Sequence, residues 1–363
     1  MAWRGASIDS RRQSCFIPRA DRSLSAGGIQ GEGRRPGRFV SKFLITGGAG
    51  FLGERIASAL LADGNEVHIV DNFSRGQKDK ALETLATSRG ARIFQEDLLA
   101  PDALSGLSPD YDFIVHLAAI VGVQNVLTRP YDTLHDNVLM HQITIRFARR
   151  QKLLKRFVFA STSEVYAGSL RSGDLPVPTP ENVALTLTPL HEPRSSYMLS
   201  KIYGEAMLLH SGLPFTIVRP HNIYGPRMGM AHVVPQLLEK AHKARPDSFI
   251  EVFSVDHRRS FCFIDDAVEM LKRVLDAPAA LNQVLNLGAE SPEVTVRRVA
   301  EVVISIVGKP LAIRSMPPTP GSPVRRAPQM TRMTEATGYV ARIGLEEGVG
   351  RTYDWYRRHI FVR

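Results

Sequence analysis

The sequence predicts an α/β fold built on a doubly wound parallel sheet, with a smaller second lobe drawn mostly from the C-terminal half. Three observations point there. Short apolar runs alternate with stretches of helical spacing, the pattern of a parallel sheet covered on both faces. Glycines 47, 50 and 53 fall between the first run and the first helix. An acid, Asp71, closes the second run.

Taken in order, residues 39–46 predict a buried strand and Phe51–Ala62 a helix with one apolar face. Residues 66–70 form a short strand ending at Asp71. Further strands are expected over Arg92–Gln95, Phe113–His116, Arg156–Ala160, 215–219 and Gln283–Leu287, with helices over 131–149 and 197–210. Two stretches break the alternation. Residues 176–193 hold five prolines and predict a loop, and 309–328 hold six and predict an extended connection. A helix over 233–244, strands over 249–253 and 259–263, and a closing helix over 344–359 complete the reading. The expected organisation is a disordered basic tail over 1–38 and a nucleotide-binding domain over 39–220, to which strand 283–287 returns. A substrate lobe is drawn mostly from 221–282 and 288–363.

A chain of 363 residues has ample length for a core, and 44% hydrophobic with 23% charged residues is ordinary for a globular protein. Collagen-like, low-complexity and disulfide-framework chains are excluded. The two cysteines, Cys15 and Cys262, sit in no metal-ligand spacing, so no metal is expected, and so few thiols fit a reducing, cytoplasmic setting. No uncharged apolar run reaches the roughly 18 residues of a membrane span, so no membrane partner is expected. The net charge is +10, and eight arginines (4, 11, 12, 19, 22, 34, 35 and 38) against three acids put +5 of it in the first 40 residues. Without an apolar periodicity, that tail reads as a disordered extension rather than a nucleic-acid-binding arm.

A phosphate held by backbone N–H groups at a helix N-terminus needs a turn free of Cβ obstruction. Gly47, Gly50 and Gly53 meet that need, with Phe51 and Leu52 opening the helix. The placement predicts a Rossmann-type dinucleotide site. A carboxylate ending the next strand accepts hydrogen bonds from an adenosine ribose and repels a 2′-phosphate, so Asp71 favours NAD over NADP. Arg75 is the opposing feature, because a guanidinium there could pair with such a phosphate. Tyr197 and Lys201 stand four apart on an expected helix and share a face. A phenol is a poor base at neutral pH. A neighbouring ammonium and a positive nicotinamide ring would lower its pKa, letting it take a proton from a hydroxyl as hydride leaves carbon.

In this order the motifs resemble the extended short-chain dehydrogenases/reductases, in the nucleotide-sugar epimerase/dehydratase/decarboxylase group. They are the run 46–53, Asp71-Asn72, Asp97-Leu98, His116-Leu117-Ala118-Ala119, Asn137, the run 161–166, Tyr197 with Lys201, the run 219–227, and Arg259-Ser260-Phe261, spread over residues 39–363. The resemblance implies NAD as cofactor, a nucleotide-sugar substrate with UDP favoured, transient oxidation at sugar C4, and a homodimer. It implies that Asp97 and Leu98 contact adenine, and that Leu117, Ala118, Ala119 and Asn137 line the cofactor cleft. Thr162 would hydrogen-bond the sugar's reacting oxygen, Asn222 and Arg259 would hold the diphosphate, and Arg325 or Arg326 would reach the substrate.

Which chemistry follows oxidation turns on Thr162-Ser163-Glu164. By the resemblance, Glu164 stands where dehydratases and decarboxylases keep the residue that works at C5. Ser163 stands where one dehydratase class keeps an aspartate, which counts against that class. The triplet resembles that of UDP-glucuronate decarboxylases, making decarboxylation the leading expectation. A UDP-sugar 4-epimerase, needing only Thr162, Tyr197 and Lys201, is the alternative, and a non-catalytic NAD-binding scaffold the remote one.

Overall fold

The computed structural model describes residues 41–362, apart from 174 and 320, so the tail expected over 1–38 lies outside the described residues. Seven parallel strands form the central sheet: β1 Lys42–Thr46, β2 Glu66–Asp71, β3 Arg92–Gln95, β4 Phe113–His116, β5 Arg156–Ala160, β6 Phe215–Pro220 and β7 Gln283–Leu287. Their order is 3-2-1-4-5-6-7. Side chains alternate across a strand, so each run feeds two cores. On β1, Phe43 and Ile45 enter one apolar cluster with Ile56 of helix α1 (Phe51–Ala62), while Leu44 enters the other. That second cluster holds Met140 and Ile145 of α3 (Pro130–Ala148) and Leu208 of α4 (Arg194–Leu209), whereas α2 (Lys80–Ser88) sends Leu82 and Leu85 to the first. Burial on both faces is why the strands of the sheet's centre are legible as continuous apolar runs.

Three details depart from the sequence reading. The proline-rich span 309–328 contains a strand, Leu311–Met316, parallel to Ser248–Phe253; Pro310 and Pro317 bound it rather than interrupt it. The strand expected over 259–263 is two. Arg258–Ser260 pairs with Glu293–Thr295 and Arg325–Arg326, while Cys262–Phe263 pairs with Ile223–Tyr224. Helix α5 (Ile264–Asp276), in the span assigned to the substrate lobe, packs on α1 instead. Two ion pairs, Arg55–Asp265 at 2.5 Å and Lys272–Asp63 at 2.7 Å, join them.

The chain after each central strand therefore emerges at one edge. The glycine turn follows β1, Leu117 to Ala119 follow β4, the Thr162 triplet follows β5, and Asn222 follows β6. Ligands of open α/β sheets bind at this carboxyl edge, where the strand order reverses.

Candidate active site

The glycine turn is shaped by contact. Gly47 has φ +71°, and a Cβ there would sit 2.7 Å from the Ala118 backbone nitrogen. A Cβ on Gly53 would sit 2.4 Å from the Gly47 carbonyl oxygen. The turn can hold this shape only without side chains. Helix α1 starts behind Gly50 with no side-chain cap, leaving its first N–H groups to meet an anion. Phe51 and Leu52 are half-buried over the core, and Leu117, Ala118 and Ala119 form the half-open opposite wall. These residues fit a dinucleotide's pyrophosphate.

Asp71 closes the loop as well as facing it. One oxygen accepts from the Ala49 N–H at 3.0 Å and the other from the Phe73 N–H at 2.8 Å. Asn72 donates to exposed Asp97 at 3.2 Å, and Asp97 in turn accepts from the Leu99 N–H. Leu98 is buried in the core, so only its backbone is free to meet an adenine. Asn137 exchanges hydrogen bonds with the Ile120 backbone at 2.7 and 3.0 Å and reaches Ser200 of α4 at 3.3 Å. It thus positions the cleft wall from behind. Arg75 extends toward the far lobe, its Nη2 lying 3.8 Å from where a Cβ on Gly229 would stand.

Thr162, Tyr197 and Lys201 converge at the edge of β5. Thr162 caps the short turn Ser163–Tyr166, its Oγ1 accepting from the Glu164 N–H at 3.2 Å, and its hydroxyl is near enough to the Tyr197 phenol to lower that group's pKa. Lys201 is 2% exposed and donates to the Ala160 carbonyl at 2.8 Å. Its Nζ lies 5.9 Å from the Tyr197 ring centre. Burial depresses the Lys201 pKa to about 7 against an opposing pull from Glu205, and burial raises that of Tyr197 against the opposing pulls of Thr162 and Arg75. Burial thus favours a neutral phenol, the reverse of the effect expected from a neighbouring ammonium, and Lys201 turns to Ala160 rather than to the phenol.

Glu164 and Arg326 meet at 2.5 Å. Burial works to raise the carboxyl's pKa, but the charge and hydrogen bond of Arg326, with Arg194 and Arg259 nearby, bring it below the usual value. The Glu164 side chain keeps 38% of its surface exposed, enough to meet a ligand. Arg326 also donates to Asn222 Oδ1 at 3.4 Å, and Asn222, at φ +41°, donates to the Ser260 carbonyl at 3.0 Å. Ser163 is buried beneath them.

Of the two adjacent arginines, only Arg326 faces the site. In the parallel ladder Arg326 stands beside Arg259 and Arg325 beside Arg258, so alternation sends Arg325 outward. There it forms a two-pronged pair with Glu293, its Nη2 2.6 Å from Oε1 and its Nε 2.8 Å from Oε2. Arg259 is buried but occupied. Its Nη1 donates to the carbonyls of Arg258 and Val324, and its Nη2 to Pro323 O and Ser322 Oγ. Three of these four bonds clamp loop 322–324, and Nε is its one uncommitted N–H.

Other contributors escape the sequence reading. Arg227, at φ +67°, reaches behind the glycine turn. It pairs with Asp79, the N-cap of α2, and approaches the carbonyls of Ala49 and Gly50 at 3.4 Å. His116 links Thr46 Oγ1 at 2.7 Å to His141 at 2.9 Å, and burial holds His116 neutral, pushing its pKa down to about 3. Arg194 opens helix α4 one turn ahead of Tyr197. The motif containing Arg227 was visible in sequence; its partner across 148 positions was not.

The fold and the site define a dinucleotide-dependent enzyme whose phenol, hydroxyl and ammonium surround one reaction centre. The chain belongs to the NAD dependent epimerase/dehydratase family, whose model matches residues 43–288. It is similar to the UDP-N-acetyl-alpha-D-glucosaminuronate decarboxylase of Bacillus cytotoxicus, 30% identical over 326 residues, 86% of this chain and 97% of that protein. UDP-glucuronic acid decarboxylase 1 of Arabidopsis thaliana is 29% identical over 346 residues, 93% of this chain and 75% of that protein. Among solved structures, the UDP-glucose 4-epimerase of Thermus thermophilus, a complex with NAD, aligns with a TM-score of 0.72 at 26% identity, covering 88% of this chain and 100% of that one.

Proposed function

We propose that the protein is a UDP-hexuronate decarboxylase, with UDP-glucuronate its leading substrate. The Glu164–Arg326 pair beside Thr162 and Tyr197 is the observation that supports this most directly. Two relatives named as decarboxylases of UDP-linked uronic acids support the same reading.

NAD, when bound, supplies a hydride acceptor and donor at sugar C4. Thr162 holds the C4 oxygen, and Tyr197 takes the hydroxyl proton as the C–H bond opens, the positive nicotinamide ring of a bound cofactor supplying the charge that would offset burial and favour its phenolate. Lys201 fixes the phenol's surroundings through Ala160 and lends it positive charge when protonated. Thr162 and Tyr197 then hold the ketone oxygen while it receives the electron pair of the breaking C5–C6 bond, with C6 leaving as CO2. Glu164, kept ionised by Arg326, faces the sugar's carboxylate as like charge, which favours departure of C6 as a neutral molecule. After CO2 leaves, Glu164 would relay a solvent proton to C5 and return to its carboxylate form, and Tyr197 would give its proton back to the C4 oxygen as the hydride returns to C4. Gly47, Gly50 and Gly53 cradle the cofactor's pyrophosphate, and Asp71 meets its ribose. Asn222 and the free Nε of Arg259 are left for the nucleotide diphosphate.

The test is to incubate the full chain with NAD and UDP-glucuronate in D2O. Loss of CO2 from the sugar, with deuterium at C5, is expected. Inversion at C4 with unchanged mass and no C5 label would establish the 4-epimerase reading, which the sufficiency of Thr162, Tyr197 and Lys201 and the likeness to UDP-glucose 4-epimerases keep in view.

The same reading takes the protein as a cytoplasmic homodimer. Helices α3 and α4 pack together and expose Tyr131 and Tyr203, side chains suited to a second copy. Among the described residues, no helix is long and apolar enough to cross a membrane.

A further inference from the structure

We infer that Glu205 is a positioning residue which, paired with Arg219, holds both ends of the segment that carries Thr162 and Glu164. The inference goes beyond the decarboxylase reading and does not rest on it, because 4-epimerisation begins with the same oxidation at C4. Glu205 follows Lys201 by one turn of α4 and is buried. Its Oε1 accepts from Ser161 Oγ at 2.5 Å. Ser161 stands in the chain between Ala160, whose carbonyl holds Lys201, and Thr162. One carboxylate therefore sets where the chain leaving β5 stands against α4, and with it the spacing of Thr162 from Tyr197 and Lys201.

Arg219, near the end of β6, completes the hold. Its Nε donates to Glu205 Oε1 at 2.9 Å and its Nη2 to Oε2 at 2.6 Å. Its Nη1 donates to the Tyr166 hydroxyl at 2.8 Å and to the Glu181 carbonyl at 3.2 Å. Tyr166 closes the short turn that Thr162 caps, and its hydroxyl donates onward to Asn286 Oδ1 of β7 at 2.9 Å. The buried pair thus grips residue 161 on one side of the Thr162-Ser163-Glu164 triplet and residue 166 on the other. Bonds within the segment, from the Glu164 N–H to Thr162 Oγ1 and from the Val165 N–H to the Thr162 carbonyl, fix its shape but not its place.

Stability alone does not account for the arrangement. Replacing both members of a buried ion pair by apolar side chains of similar volume is often neutral or stabilising, because both charges have lost their water. What the pair supplies is direction, a planar fork of donors locked onto two acceptor oxygens. All three Arg219 nitrogens and both Glu205 oxygens are taken within the protein, so both residues act through the triplet and not on a ligand.

The test compares the full chain with Ser161→Ala and with the double variant Glu205→Met, Arg219→Met, each saturated with NAD and offered UDP-glucuronate and UDP-glucose. The first-turnover rate of reduced-cofactor absorbance reports oxidation at C4, KM reports binding, and chemical denaturation reports stability. Ser161→Ala leaves the ion pair whole and cuts its tie to the triplet. Its first-turnover rate is expected to fall about 10- to 100-fold, the cost of slightly misplaced reacting groups, with KM changed less than about threefold. The double variant removes both charges together, so it is expected to denature close to the parent and still lose its first-turnover rate to a similar extent. A folded double variant or a Ser161→Ala variant with a rate within about threefold of the parent would reduce the pair to a structural role and overturn the inference. A loss confined to KM would overturn it as well. Should the double variant not fold, Ser161→Ala decides alone. The product is read separately: CO2 from UDP-glucuronate supports the decarboxylase reading and inversion at C4 of either sugar replaces it, while the ratio of variant to parent rates judges Glu205 in both cases.

Discussion

Arg227 and Asp79, 148 positions apart, form a two-pronged ion pair at 2.7 and 3.0 Å directly behind the glycine turn. The guanidinium is almost fully buried, and Glu54 lies 3.9 Å away on its other side. One residue of the second half of the chain therefore fixes the start of α2 and the carbonyls of the cofactor turn together.

Replacing Arg227 by methionine leaves Asp79 and the buried Glu54 without their cation. Removing one partner of such a pair costs about 3 kcal/mol or more. The expected outcome is a lowered denaturation midpoint together with weaker NAD binding, measured by chemical denaturation and fluorescence titration. Unchanged NAD affinity in a destabilised variant would show that the turn holds its shape without Arg227.

Lys201 has its pKa depressed from 10.5 in the unfolded chain to about 7 in the fold. The unfolded state then binds more protons between those values, so stability rises with pH across that window, and the burial cost is fully present below it. Lys201→Met is expected to abolish turnover yet gain stability over the parent at about pH 6, with the gap closing toward pH 10. Denaturation midpoints compared across that range check this. A gap independent of pH would mean that Lys201 titrates alike in both states.

Tyr197→Phe keeps the ring and loses the hydroxyl beside Thr162. Turnover is expected to fall at least about 100-fold, the usual worth of a positioned acid or base, with NAD affinity retained. Near-parental turnover would take the phenol out of the mechanism.

Glu164→Gln preserves shape and removes charge. Oxidation at C4 is expected to persist, visible as reduced-cofactor absorbance that accumulates, while CO2 release falls steeply. A variant that turns over freely and shows no C5 label would eliminate C5 chemistry altogether.

Asp71→Ala severs the bonds to Ala49 and Phe73 as well as the ribose contact. It is expected to narrow the preference for NAD over NADP and to lower stability by about 1–3 kcal/mol, the cost of unpaired buried donors. A variant with unaltered cofactor preference would show that Asp71 does not set it, and Arg75, which extends toward Gly229, is not placed to do so instead.

The sheet and the gathering of the candidate site residues at its carboxyl edge were largely legible in the sequence, for identifiable physical reasons. Strands buried on both faces must be apolar throughout, and a glycine turn must lack side chains, so both leave local marks. Helix α5 left a mark that went unread. Its buried apolar positions, 264, 267, 268, 270, 271, 274 and 275, follow helical spacing, but it begins directly after a strand with no capping side chain to announce it. The choice between Arg325 and Arg326 was not local at all, because it depends on which of them stands beside Arg259 in a ladder closed across 67 positions. Arg259 illustrates a different limit. Its position matched a diphosphate ligand, yet its donors are mostly committed to loop 322–324, a loop whose path the sequence does not reveal.

The pairing of Glu164 with Arg326 spans 162 positions, whereas the residues that form and brace the glycine turn and its walls end at Arg227. During synthesis at about 10 residues per second, the interval between Glu164 and its partner is on the order of 15 s. A growing chain can thus gain its nucleotide cradle well before the charge at its chemical centre is balanced. A product ending between Arg227 and Arg326 would keep much of the cofactor-facing surface while lacking the arginine that holds Glu164 ionised. Competence for cofactor and competence for chemistry are therefore acquired at different moments in the life of each molecule.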